Sequence, residues 1–70
     1  MKGLEQQRAL AYRFVVQHEW NALAEWACQN GYANAVNRFL PPVDATGKMI
    51  LKSIISLQRE VLGHNGMPTS

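Results

Sequence analysis

The sequence predicts an all-α protein, a small bundle of three to four short helices built around an antiparallel helical hairpin. Long stretches lack proline and glycine and are rich in Leu, Ala, Gln and Glu, which favour helix. Apolar residues recur at helical spacing, and no stretch alternates as a strand does. Asn30 and Gly31 separate two apolar runs so closely that the chain must reverse there.

The first helical segment covers 4–30 and carries two apolar stripes. One stripe contains Leu4, Ala11, Phe14, Val15, His18 and Ala22, and the other contains Ala9, Val16, Trp20, Leu23 and Ala27. Two stripes indicate either burial on two sides or a change of direction within the segment. Because Asn21 is a good N-cap, we expect two helices over 4–18 and 22–30, with one long helix as the alternative.

The second segment follows the reversal at once. Gly31 occupies the position after a helix that tolerates a left-handed backbone, so we expect it to end the first segment. A helix of about two turns is predicted over 32–40. Pro41 and Pro42 end it, since proline lacks the amide N–H and disfavours helical geometry in the residue before it.

The last helix is predicted over 47–62, after a connector in which Asp44 or Thr46 caps it. Its spacing defines one broad apolar face, made of Ile50, Leu51, Ile54, Ile55, Leu57, Val61 and Leu62. We expect a single helical domain over 1–63 and a flexible C-terminal tail over 64–70.

Composition excludes several classes of function. The 70 residues are 47% apolar and carry a net charge of +2. Cys28 is the only cysteine, and the few Cys and His residues lack the spacing of a metal site. We therefore expect no metal, no cofactor and no enzymatic activity. No apolar run approaches the roughly 20 residues that span a bilayer. We predict a cytoplasmic protein, because a lone thiol suits a reducing compartment.

Part of the hairpin is similar to a known repeat. The matching residues are Trp26, Ala27, Cys28, Asn30, Gly31, Tyr32, Ala35, Val36, Phe39 and Leu40. On these residues 24–40 resembles a single degenerate ankyrin-type repeat, in which an inner helix ends at Asn-Gly and an outer helix follows. The resemblance implies two closely packed antiparallel helices and a role in protein binding. A hairpin that converged on the same packing is the alternative, since stacked repeats need about three units.

Large apolar residues in so small a chain indicate a contact with another protein. Tryptophan is enriched where proteins bind one another, and the two indoles are predicted about 120° apart around one helix. We expect a non-enzymatic adaptor, inhibitor or regulator of a larger protein, acting as a homodimer or docked on its partner. The predicted partner-binding residues are Trp20, Trp26, Val16, Leu23 and Tyr32.

A nucleic-acid-binding transcriptional regulator is the second hypothesis. The segments 32–40 and 47–62 would form a loose helix-turn-helix. Its phosphate-contacting residues would be Arg38, Lys48, Lys52 and Arg59. The solvated side of an amphipathic helix explains the same cations, and Glu60 lies directly after Arg59 in the sequence.

Overall fold

Three α-helices make up the part of the chain that the structure, a computed structural model, describes, which is residues 2–63. They are α1 (Lys2–Gln29), α2 (Ala33–Arg38) and α3 (Gly47–Gly63). Residues 2–63 contain no strand, so the predicted all-α class is confirmed. The predicted flexible tail, 64–70, lies outside the described residues.

Helix α1 is a single helix of 28 residues, so the prediction of two helices over 4–18 and 22–30 is wrong and its alternative holds. The expected break depended on Asn21 acting as a cap. Instead, the Asn21 side-chain oxygen accepts a hydrogen bond from the Gln17 amide at 3.1 Å, one helical turn away. A pair at this spacing supports a continuing helix. The segment contains neither proline nor glycine at this point, and it continues to the hairpin.

The hairpin turn has the predicted geometry. Gly31 adopts a φ of 90°, in the left-handed region that glycine enters without steric cost. The Tyr32 N–H donates to the Ala27 carbonyl at 2.8 Å, and the Gly31 N–H donates to the Cys28 carbonyl at 3.3 Å. This pair of bonds is the Schellman motif, and it satisfies carbonyls left free at the end of α1. The chain turns directly into the short α2.

The beginning of α3 lies against the middle of α1. A Cβ atom on Gly47 would stand only 2.5 Å from Tyr12 Cδ2 and 3.4 Å from Arg13 Cα, so the two backbones approach closely here. The Arg13 Nε donates to the Ala45 carbonyl at 2.8 Å, and its Nη2 donates to the Val43 carbonyl at 3.2 Å. A guanidinium on α1 thus holds the connector in place.

Thr46 caps α3, and of the two predicted capping residues, Asp44 and Thr46, it is the one that makes the bond. Its Oγ1 accepts a hydrogen bond from the Met49 N–H at 3.3 Å, and its carbonyl accepts from the Ile50 N–H at 3.0 Å. The side-chain bond satisfies one of the amide donors that a helix leaves free at its first turn.

Helix α3 runs parallel to the second half of α1. It begins beside Arg13, and the α1 residues that pack into the core all come later in the sequence, from Val16 to Ala27. Near its other end, Glu60 pairs with Arg38 of α2. The three helices therefore enclose one core beside the second half of α1.

The core is made of apolar side chains. Ile50 and Leu57 of α3 are completely buried, and Trp20 of α1 is only 3% exposed. No polar or charged residue is buried among the described residues. The remaining core residues are Val16, Ala27, Ala35, Val36, Ala45, Ile54 and Val61. Burial of hydrocarbon is the main favourable term that holds the three helices together.

Replacing Gly47 tests the close approach of α3 to α1. We expect Gly47→Ala to lower the free energy of unfolding by about 1–3 kcal/mol, because the new methyl group displaces the Tyr12 ring. Urea unfolding followed by circular dichroism measures the change. In a Tyr12→Ala background the same substitution should cost clearly less. Equal costs in the two backgrounds would contradict the contact.

Candidate interaction surface

Helix α1 has one apolar side in the core and another in solvent. The first of the two predicted stripes is the solvent-facing one, and we call it the outer face of α1. Phe14 is 73% exposed, Val15 54% and Leu4 52%, which are large values for apolar side chains. The outer face consists of Leu4, Ala11, Phe14, Val15, His18 and Ala22. It points away from α3, so nothing in the described chain covers it.

The first turns of α1 extend beyond the rest of the molecule. Every residue over 3–12 is exposed, and Tyr12 at the end of this stretch lies against Gly47 at the start of α3. We call 3–12 the arm. An isolated helix of this length is marginal in water, and most helical stability in proteins comes from packing of an apolar side. The arm carries such a side, including Leu4 and Leu10, without a partner for it.

The five predicted partner-binding residues fall into two environments. Val16 and Trp20 are buried at 5% and 3% exposure, so they are core residues of this chain and do not form part of its surface. Leu23 and Tyr32 are partly buried against the core. Trp26 is exposed at 46% and is the one indole that lies on the surface.

Trp26 is held by an aromatic partner. Its ring lies 6.3 Å from the Tyr32 ring, centroid to centroid, with 13° between the planes. Stacked pairs of this kind prefer fixed geometry, so the indole is oriented rather than free. At about 100° per residue, Trp26 lies some 40° from Ala22 around α1. The stacked pair therefore extends the outer face toward the hairpin.

Helix α3 also exposes part of its predicted apolar face. Ile50, Ile54, Leu57 and Val61 are buried, whereas Leu51, Ile55 and Leu62 are between 37% and 48% exposed. At about 100° per residue, the exposed apolar residues border the stripe of Lys48, Lys52 and Arg59. A shallow depression on this side is lined by Ile55, Gln58, Arg59, Leu62 and Gly63. All five belong to α3, so the depression is a groove between side chains of one helix.

Arg38 is separate from the other predicted phosphate contacts. It lies on α2, where its Nη1 is 3.4 Å from Oε2 of Glu60. Its guanidinium also lies 5.7 Å from the centre of the Phe39 ring. An ion pair and an aromatic ring already engage this cation. The three α3 cations share a stripe about 40° wide, and Glu60 lies about 100° from Arg59 around the helix.

The His, Cys, Asp and Glu side chains of the described residues lie apart from one another. No group of three or more His, Cys, Asp or Glu side chains comes together within residues 2–63. His18 and Cys28 are both exposed on α1, ten residues apart, which separates them by about 15 Å along the axis. This distance is too long for one to activate the other. Within the same residues, none of the helices combines the length and the apolar character that crossing a bilayer requires.

Phe14 and Val15 are two of the exposed apolar residues that the predicted partner-binding set does not include. Their signal was present, because both belong to the first of the two stripes on α1. From the sequence, the stripe predicts either a second buried side of α1 or a change of direction within it. Neither occurs, and the stripe lies in solvent along one continuous helix.

Comparison with protein-family models, with curated proteins and with solved structures finds no match to this chain.

Two aromatic substitutions test which stripe of α1 is core. We expect Phe14→Ser to change the free energy of unfolding by no more than about 0.5 kcal/mol, because the ring is largely in solvent. Trp20→Ala should cost about 3–5 kcal/mol and leave little folded protein. Urea unfolding of both variants gives the comparison. A large loss from Phe14→Ser would mean that the outer face is covered within the monomer.

Proposed function

We propose that this protein is a non-enzymatic protein–protein interaction module, a small adaptor or regulator that binds through the outer face of α1. The observation that carries the proposal is the exposure of Leu4, Phe14 and Val15 on one side of a helix. Large contiguous patches of exposed apolar surface are uncommon on monomeric proteins, and where they occur they are often interaction sites. Recognition would be of one helix face against another helix or a groove.

The stacked Trp26 and Tyr32 would form the hairpin end of the binding surface. An indole that is half exposed and already oriented loses little conformational entropy on binding. Leu23 lies beside it and is partly covered by the core. Val16 and Trp20 would support the surface from below, by fixing α1 against α3. The five predicted partner-binding residues thus keep a place in the proposal, in two different roles.

The likeness of 24–40 to an ankyrin-type repeat stays a prediction about ancestry. The proposal does not depend on it, since exposure and stacking of the side chains carry the argument. We also propose a cytoplasmic location, because the lone Cys28 is an exposed thiol that a reducing compartment keeps unoxidised.

Photo-crosslinking tests the binding surface directly. We expect a benzophenone amino acid in place of Phe14 to give a discrete crosslinked product in an extract of the native cells. The same group in place of Val43, which is 96% exposed in the connector, serves as the control and should give no such product. The captured protein is then purified and titrated against the unmodified chain.

Binding of the purified partner should depend on the outer face. We expect Phe14→Asp to weaken it at least tenfold, because an unpaired charge would be buried in the contact. Ile55→Asp on α3, the same change at another exposed apolar residue, should leave the affinity within twofold. Equal losses from both variants, or identical crosslinking from Phe14 and Val43, would refute the proposed surface.

A nucleic-acid-binding regulator is a second proposal, favoured by the exposed stripe of Lys48, Lys52 and Arg59 on α3. Three phosphate contacts predict an affinity for duplex DNA that falls with salt, with a slope of log K against log [salt] of about −2.7. A fluorescence-anisotropy titration between 50 and 200 mM salt measures it. The interaction-module proposal predicts no saturable binding to DNA at either salt concentration.

A further inference from the structure

We infer that the outer face of α1 binds the outer face of α1 in a second copy of this chain, in an antiparallel pair. This inference rests on the proposed function and specifies the partner. It follows from three features of α1: the sizes of the side chains along the face, the charges beside it, and the area that it offers.

Side-chain size sets a register. If two α1 helices lie antiparallel with the twofold axis near residue 13, Ala11 faces Val15 of the second copy. In the same register Leu4 faces Ala22 of the second copy. Symmetry repeats each pairing, which gives four layers that each combine a small residue with a larger one. Alternating sizes across a helix pair let the backbones approach and the layers interdigitate.

Charge gives the same register independently. Arg8 and Glu19 are both exposed and lie eleven residues apart, so they stand about 20° from each other on one edge of the outer face. A twofold axis places the same edge of two antiparallel helices together. Arg8 then faces Glu19 of the second copy when the axis lies midway between residues 13 and 14. This position is within half a residue of the one that side-chain size requires.

The opposite orientation is disfavoured by the same residues. In a parallel pair the twofold axis runs along the helices and brings opposite edges of the outer face together, so Arg8 and Glu19 of the two copies lie on opposite sides of the pair. The parallel pair therefore lacks these contacts, whereas the antiparallel pair forms two between opposite charges. Charge complementarity therefore selects both a second copy and its direction.

The size of the face predicts a weak dimer. From Leu4 to Ala22 the outer face is about 27 Å long, and a helix presents a side about 10 Å wide. One helix-wide contact of this length falls below the roughly 800 Å² per partner of a standard interface. Phe14 and Leu10, which are 73% and 66% exposed, add apolar area at the other edge of the face. We expect association in the micromolar range, with monomer and dimer both present in solution.

Charge reversal provides the test, by sedimentation equilibrium of the full chain from about 5 to 500 µM. Arg8→Glu and Glu19→Arg should each weaken the dimer by about tenfold, because each turns two attractions into two repulsions. An equimolar mixture of the two variants should associate as strongly as the unmodified chain. In the mixed dimer the new glutamate at position 8 of one chain faces the new arginine at position 19 of the other. The unchanged Glu19 of the first chain faces the unchanged Arg8 of the second, so both pairs are again opposite in charge.

Controls separate this inference from the proposed function. Arg59→Glu, the same reversal on α3, should leave self-association unchanged, and circular dichroism should show equal helix content in all variants. Recovery in the mixture supports the antiparallel register. No effect of either reversal, or no recovery in the mixture, overturns it. A chain that stays monomeric to 500 µM overturns the second-copy inference, whereas the crosslinking from Phe14 tests the proposed function separately.

Discussion

The contact between the start of α3 and the middle of α1 determines the rest of the structure. Gly47 lies against Tyr12 and Arg13, and Arg13 binds the connector through two carbonyls. A helix of 17 residues is about 25 Å long, so from this point it covers only the second half of α1. If α3 started two turns earlier along α1, it would cover the arm and leave the hairpin exposed. The position of Gly47 against α1 therefore determines that the arm has no helix packed on it.

Elements governed by local chemistry could be predicted from the sequence. Gly31 reverses the chain because only a left-handed residue fits there, and Thr46 caps α3 because its hydroxyl satisfies a free amide. The break at Asn21 was predicted wrongly because its side chain has two uses, and a bond to Gln17 within the helix prevails over capping. The alternative of one long helix was available from the lack of proline and glycine.

Features that depend on distant residues could not be predicted in this way. The Arg13 bond to Ala45 joins residues 32 apart in the sequence, and no local sequence pattern predicts it. The sequence showed both apolar stripes of α1 equally well but did not tell which one is covered. That choice depends on α3, whose own apolar face is only half buried. Helix α1 has two apolar sides, and the shorter α3 covers only one of them. The apolar surface that stays exposed is the basis of the proposed function.

The apolar character of the core has a consequence for temperature. Near 25 °C the burial of apolar groups is driven by the entropy of water, and it weakens as the solution is cooled. Among the described residues no buried polar or charged residue offsets that loss. The attraction between exposed apolar faces has the same origin. Strong chilling would therefore loosen the fold and its associations together.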